Sequence, residues 1–489
     1  VQKYQMFING EWQDSGESFE SINPYNREAW VLIPQASEKD VEDAIDAART
    51  AFKKTWRHTP GLQRAKLMNK LADLLEQNAG HMAVIESTDN GKIIKETSKQ
   101  MVFAARMYRF YASYADKLYG QTIPLDNPNF FDYTLCEPVG VVVLITAWNS
   151  PIQLLANKLG PALAAGNCVV IKPSEQASAS TLEFAKLVQE AGFPPGVVNV
   201  VTGDGKVGDF LTRSSRIDKI SFTGGSATGR LIGRNASENF VPLTLELGGK
   251  SPNIVFADAD FNKAVAGAIA GIFASSGQTC IAGSRLLVQR PIYEKMAEAI
   301  AERAKTIKMG NPLDESTQMG PVANEMQYQT IMQAIESVEA EGARILCGGQ
   351  VTDSALASGY FIQPTVLVEV ANGMKVAQEE IFGPVLSVIP FDEEEEAIEM
   401  ANDSVYGLAS GVWTTNLSRA HRVAKQIDAG TVWINTYRTS AAQAPFGGVK
   451  QSGYGRERGF HAILPYTRTK NVMIDMSDEV QDPFSIRTN

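Results

Sequence analysis

From Val139 onward the chain repeatedly follows a short β-branched run with a helix-compatible segment, and this alternation restricts the fold more than any other feature. The runs "GVVVLIT", "NCVVIKP", "GVVNVV", "DKISFTG" and "PLTLELGG" are separated by stretches such as "IQLLANKLGPALAAG" and "STLEFAKLVQEAG". Apolar strands alternating with helices build a parallel sheet covered on both faces, because each crossover lays a helix on the sheet. Ligands of such sheets bind beyond the carboxyl ends of the strands. A second series starts near Ser284 with "SRLLVQR", "YFIQPTVLVEV", "GPVLSVIPF", "LASGVWTT" and "GTVWIN", which predicts a second α/β unit. Ahead of both, Glu38 to about Leu118 reads as successive helices, since "VEDAIDAARTAF" and "AKLMNKLADLLEQ" space apolar residues by three and four. Helix punctuation follows at "DNGK", Asp89 to Lys92. The polar tail from Thr467 is predicted to be a strand plus an arm packing on a neighbouring subunit.

A chain of 489 residues is long enough for two or three cores. Its net charge of -10 argues against nucleic acid, which asks for a basic stripe, and against a polybasic membrane surface. The most apolar run, "VGVVVLITAW", falls well short of the roughly 18 residues that span a bilayer. No charged start followed by an apolar stretch marks a signal peptide, so a cytoplasmic protein is expected. Cys136, Cys168, Cys280 and Cys347 make neither a disulfide framework nor a CxxC pair, and the histidines His58, His81, His421 and His461 are scattered. No metal site is expected. The acidic run "DEEEEAIEMAN" suits the positive end of a helix dipole.

Several short motifs carry chemistry. In "FASSGQTCIAG", Cys280 stands among small residues, whereas a core cysteine normally has bulky neighbours. It reads either as a small buried hydrophobe or as a nucleophile. For the second, Gly277 lets the backbone approach a ligand, and nearby N–H groups lower the thiol pKa and hold an oxyanion. Glu246 ends the strand "LELGG", where a buried carboxylate becomes a base near neutrality and an exposed one is commonplace. The loop "FTGGSATG" follows a strand and opens a helix whose N–H groups attract phosphate, without being GxGxxG. "VIKPSE" sets a lysine and a glutamate past a strand, either to hold ribose hydroxyls or as a solvated turn with Ser174 as a helix cap. Asn149 in "AWNSP" is a neutral donor suited to an oxyanion and equally a common turn residue.

Taken in order, "AWNSP", "KPSE", "FTGGSATG", "LELGGK", "GQTC", "EEIFGP" and "PFGGVKQSG" resemble the NAD(P)-dependent aldehyde dehydrogenase superfamily, its hydrolytic, acid-forming branch, across Ala147 to Gly453. The resemblance implies a Rossmann-like parallel-sheet cofactor domain from residues 1–118 and 138–248 and a second α/β catalytic domain from 249–450. A small bridging oligomerisation element would comprise 119–137 and 463–489, giving a homodimer or homotetramer. Cys280 would attack the aldehyde to give a thiohemiacetal, with its oxyanion on Asn149 and the Cys280 N–H. Hydride loss would leave a thioester, and Glu246 would activate water as second substrate. Lys158 and Glu457 match a proton relay found in some relatives. Cofactor contacts are implied for Thr146, Trp148, Lys172, Ser174, Glu175, Gly205, Gly225, Ser226, Leu247, Glu380 and Phe382, and Glu175 favours NAD over NADP. Many relatives have serine where this chain has Gly225, so phosphate binding would rest more on backbone N–H groups. Where relatives line the substrate tunnel with aromatics, this chain has Ser150, Asn157, Ala274, Thr279, Ile281 and Ser440, with Arg438 and Thr439 beside the last. A polar or anionic aldehyde is therefore expected, with Arg438 either pairing its distal carboxylate, or pointing to solvent or bridging to a surface acid. The competing expectations are an acylating enzyme that passes the acyl group to coenzyme A, and a relative that kept the fold without the chemistry.

Overall fold

The computed structural model describes residues 2–478, 482 and 484, and the alternation seen in the sequence becomes two parallel sheets. In the first, Val141–Ile145, Cys168–Lys172, Val198–Val200, Lys219–Thr223 and Leu243–Glu246 run parallel. Their side chains are almost all buried on both faces, which is why the runs are continuously apolar rather than alternating. Gly453–Tyr454 closes one edge antiparallel to Leu243–Glu246, and Met6–Ile8 with Glu11–Gln13 extends the other.

The order of addition matters for function. The chain lays down Val141–Ile145, adds two strands on one side, then crosses back to add Lys219–Thr223 and Leu243–Glu246 on the other. A crevice opens where the direction of winding reverses, at the carboxyl ends of Ile145 and Thr223. The covering helices are signalled locally. Ser37 and Asp40 exchange bonds in a capping box at the head of Glu38–Lys54. Gly91, at φ 75°, ends Ala79–Asn90 in the "DNGK" punctuation.

The second sheet holds six parallel strands in the order Ile362–Val368, Val385–Phe391, Arg285–Gln289, Pro252–Val255, Ala409–Trp413 and Thr431–Ile434, with Arg344–Gln350 antiparallel at one edge. Alternate residues go to opposite cores: Ile254 and Leu287 join one, and Val255, Leu286 and Val288 join the other. A third sheet pairs Thr467–Asp475 with Phe130–Pro138 over nine residues, from Thr467 opposite Pro138 to Asp475 opposite Phe130. The strand expected in the tail is therefore present, while most of the arm lies outside the described residues. The architecture is α/β, as the alternation implies.

Asn167, fully buried, ties these parts together. It accepts from Gly140 N (2.9 Å) and donates to Ala162 O (3.1 Å) and Tyr466 O (2.9 Å), joining the first sheet to the start of the tail strand. Asn167→Ala leaves the buried Gly140 N–H unpaired, while Ala162 O and Tyr466 O keep backbone donors in Asn167 N and Val139 N, and is expected to cost about 1–3 kcal/mol, read as a lower urea midpoint at unchanged slope.

Candidate active site

Three adjoining cavities follow from this topology. The first, about 330 Å³, occupies the crevice and is lined by Thr146, Trp148, Lys172, Ser174, Glu175, Gly205 and Gly225. The second, about 220 Å³, shares Trp148 and Gly225 with it and adds Asn149, Glu246, Leu247, Cys280, Glu380 and Phe382. The third, about 450 Å³, shares Asn149 and Cys280 with the second and is lined by Ser150, Asn157, Ala274, Thr279, Ile281, Arg438, Thr439 and Ser440. Lys158, Glu457 and Ser226 line none of the three. Ser226 Oγ is buried and has no hydrogen-bond partner among the described residues.

Glycines bring the central cavity together. A side chain on Gly249 would put its Cβ 2.5 Å from the Cys280 carbonyl oxygen, and one on Gly248 would come within 2.1 Å of Glu380 Oε2. The loop after Glu246 thus lies directly between Cys280 and Glu380. Gly249 N donates to Glu380 Oε1 at 3.0 Å. Phe382 holds a left-handed backbone (φ 56°) and meets the Trp148 ring edge-on at 5.3 Å. Gln327 Nε2 fixes that bend by donating to the Ile381 and Phe382 carbonyls at 2.8 and 3.1 Å. Such strain persists only where surroundings impose it.

Around the thiol, Asn149 Nδ2 donates one hydrogen to Gln278 O at 3.0 Å, which orients the amide and leaves its second N–H free. Ser275 and Ser276 sit at φ 57° and 53°, and Glu96 holds this turn by accepting from Ser275 N (2.9 Å) and Oγ (2.7 Å). Two expectations about this loop are corrected. Gly277 does not make room for a ligand: its missing Cβ would lie 2.0 Å from Gly383 O, so it permits packing against the "IFGP" loop. Nor is the thiol acidified. Burial, then the Glu246 and Glu380 carboxylates, push Cys280 up to about 12.

Burial, followed by the Glu457 carboxylate, holds Glu246 well above the usual carboxylate range, and neither of its oxygens has a hydrogen-bond partner among the described residues. Gly447 leaves the room it occupies, since a Cβ there would fall 2.7 Å from Glu246 Oε1. Glu380 is pushed up to about 7 by burial. Lys158 forms a buried ion pair with Glu457, which also accepts from Asn157 Nδ2 at 3.2 Å. In the crevice Lys172 and Glu175 pair at 3.7 Å, and burial lowers the lysine. Ser174 caps a local turn at Gln176 N rather than a helix, which begins later, at Ala179–Ala191. Arg438 does not point freely to solvent: it donates to Ala270 O (3.3 Å) and Ser275 Oγ (3.2 Å) while bordering the third cavity.

The sequence reading missed Lys92, Glu96 and Arg458, all of which border the third cavity. Lys92 Nζ donates to Ser150 Oγ at 2.6 Å. Its motif reads as helix punctuation, and only the fold turns its side chain toward "AWNSP".

The model of the aldehyde dehydrogenase family fits residues 12–472, and the chain belongs to that family, whose members are oxidoreductases acting on aldehydes. Among relatives, (Z)-2-((N-methylformamido)methylene)-5-hydroxybutyrolactone dehydrogenase of Acinetobacter baylyi is 49% identical over the whole of both chains. The human mitochondrial aldehyde dehydrogenase is 44% identical, covering 96% of this chain and 92% of its own. Betaine aldehyde dehydrogenase of Staphylococcus aureus, solved with NAD+, superposes with a TM-score of 0.97 at 40% identity, covering 99% of this chain and 96% of its own. An NAD+ complex of aldehyde dehydrogenase from Bacillus cereus gives 0.95 at 43% identity over 97% of each chain.

Because the thiolate alone is nucleophilic, a thiol held near 12 reacts in proportion to its small ionised fraction. In the ligand-free protein, alkylation of Cys280 by iodoacetamide, followed by peptide mass spectrometry, is expected to rise about tenfold per pH unit from pH 7 to 9. A plateau near pH 8 would contradict the buried-thiol electrostatics.

Proposed function

We propose that this protein oxidises a polar aldehyde to its carboxylic acid with NAD+, using Cys280 as nucleophile, Asn149 as oxyanion donor and Glu246 as base. The observation that carries the reading is that all three border the cavity between the crevice and the 450 Å³ pocket. Residues 1–118 and 138–248 would form the cofactor half and 249–450 the catalytic half.

The crevice suits a dinucleotide chemically. The helix Ser226–Glu238 begins at Gly225 without a side-chain cap, so its first N–H groups are available to phosphate. Lys172, Ser174 and Glu175, with Thr146 and Gly205, offer a diol site at one end. Glu380, with Trp148, Leu247 and Phe382, offers another beside the thiol. The Glu175 carboxylate disfavours a 2′-phosphate, hence NAD rather than NADP. When bound, the nicotinamide supplies a hydride acceptor.

The chain's own residues do the rest. The Cys280 thiol gives up its proton through Glu246 to the Lys158–Glu457 pair as Sγ bonds to the aldehyde carbon, and the carbonyl electron pair moves to oxygen, where the free Asn149 N–H and the Cys280 N–H receive it. Loss of hydride with its electron pair re-forms the carbonyl as a thioester, a two-electron oxidation of the substrate carbon. Glu246, whose raised affinity for protons fits a base working near neutrality, takes a proton from water as the water oxygen attacks. The C–S bond then breaks and the thiol is restored. Lys158 and Glu457 lie behind Glu246 as a route for that proton. Ser150, Asn157, Thr279, Ile281, Thr439 and Ser440 give the substrate cavity its polar lining.

Two finer readings accompany this one. Thr467–Asp475 and Phe130–Pro138 leave Phe131, Leu135, Met473 and Ile474 exposed, which supports segments 119–137 and 463–489 as the element that joins subunits. All four cysteines are free, which suits a reducing cytoplasm.

Asn149→Ala is expected to lower kcat by about a hundredfold or more, and Cys280→Ala to abolish turnover. Glu246→Gln should release one equivalent of NADH per site and then stall, with the acyl group on Cys280 visible by intact mass. Formation of acyl-coenzyme A by wild type on addition of the thiol would favour the acylating reading, and no NADH from any aldehyde the non-catalytic one. Sedimentation velocity is expected to give a dimer or tetramer, and a monomer would reject the subunit-joining element.

A further inference from the structure

Arg458 is a buried cation without an anion. It is 7% exposed, and no carboxylate among the described residues pairs with it. The acid beside it in the chain, Glu457, is already committed to Lys158 and Asn157. A guanidinium this buried ordinarily has a partner, because the desolvation of a charge is costly when left unanswered. The surroundings orient it instead. Phe103 and Phe446 flank it at 5.2 and 5.0 Å from the ring centres. Asn157 Oδ1 accepts from Arg458 Nε at 3.3 Å, its only side-chain hydrogen bond among the described residues, so both Nη groups are free of partners there. The residue borders the 450 Å³ cavity that ends at Cys280. Its backbone is in the left-handed region (φ 60°), a strain that side chains other than glycine adopt rarely. Bonded at Nε and packed near two aromatic rings, the guanidinium keeps its Nη donors for a ligand in the cavity it borders.

Resting on the reading of this cavity as the aldehyde site, we propose that Arg458 is the specificity-determining residue for an aldehyde that carries a carboxylate, which it binds through its two free Nη groups. The rest of the lining agrees in charge. Lys92, Lys99 and Arg438 also border the cavity, against the single carboxylate of Glu96, which is occupied by Ser275. Arg438 is partly engaged by Ala270 and Ser275, which makes it the weaker candidate for the clamp. A planar fork matches a carboxylate in a way an ammonium cannot. The Acinetobacter relative acts, by its name, on a 5-hydroxybutyrolactone, and such a ring is the closed form of a 4-oxocarboxylic acid. An aldehyde and a carboxylate separated by a short chain is the substrate class this places in the cavity.

The test compares kcat/KM for succinic semialdehyde with that for butanal, a neutral aldehyde of equal length, in wild type, Arg458→Leu and Arg458→Lys. Wild type is expected to prefer the semialdehyde. Arg458→Leu should lower the ratio by about 100-fold, and Arg458→Lys, which keeps the charge and loses the fork, by about tenfold. In parallel, calorimetric titration of the cofactor-free enzyme with succinate should show binding that Arg458→Leu loses. A ratio unchanged in both variants, or a wild type that prefers butanal, overturns the clamp while leaving aldehyde oxidation standing. Succinate binding lost in Arg458→Leu supports the clamp even if neither aldehyde is turned over, an outcome that would instead reject the oxidation. Succinate binding equal in wild type and both variants also overturns it.

Discussion

Two absent side chains govern how the halves of this molecule meet. Gly248 and Gly249 follow Glu246 out of the first sheet, and on either side another segment fills the space a Cβ would need: the Cys280 carbonyl at 2.5 Å and the Glu380 carboxylate at 2.1 Å. Any larger residue would move Cys280 and Glu380 away from the strand that bears Glu246. The thiol, the carboxyl and the crevice therefore share one cavity because the chain between them has no bulk. The same economy recurs at Gly277, whose bare face accepts the carbonyl of Gly383 and so seats the cysteine loop against the loop of Phe382.

Charge is distributed under the opposite pressure. Lys158, Glu246 and Glu457 are all buried, away from bulk water. Lys158 and Glu457 pair with each other, Glu246 has no hydrogen-bond donor among the described residues, and burial, then the Glu457 carboxylate, raises its proton affinity. A carboxyl in that state is poised to gain a proton instead of merely bearing a charge. The thiol is pushed in the same sense, by burial and then by the Glu246 and Glu380 carboxylates.

Much of this was readable beforehand, for reasons that can be stated. Continuous apolar runs such as "VVVLI" arise only where a strand is covered on both faces, so the parallel sheets followed from the pattern. Cys280 stood out because small neighbours are anomalous around a core thiol, and Glu246 because a polar residue closed an apolar strand. The electrostatics of the cysteine were misread, since sequence shows neighbours along the chain while the Glu246 and Glu380 carboxylates arrive from elsewhere. Gly277 was assigned to a ligand for the same reason, its true contact being Gly383. Arg458 escaped notice altogether. In "GRERG" it looks like one more charged turn residue, and only the convergence of Phe103, Phe446 and Asn157 removes it from water.

Asn157 has a double allegiance, donating to Glu457 through its amide nitrogen and accepting from Arg458 through its oxygen. One rotatable group thereby sets the pose of two neighbours of opposite sign, of which Arg458 borders the substrate cavity and Glu457 is buried behind it. For a diverging lineage this is a constraint on order: altering what that cavity admits by replacing the asparagine also unsettles the ionised couple behind it. Novel preferences are more accessible by first changing the arginine, whose loss leaves Asn157 bonded to Glu457 and the buried pair with Lys158 intact.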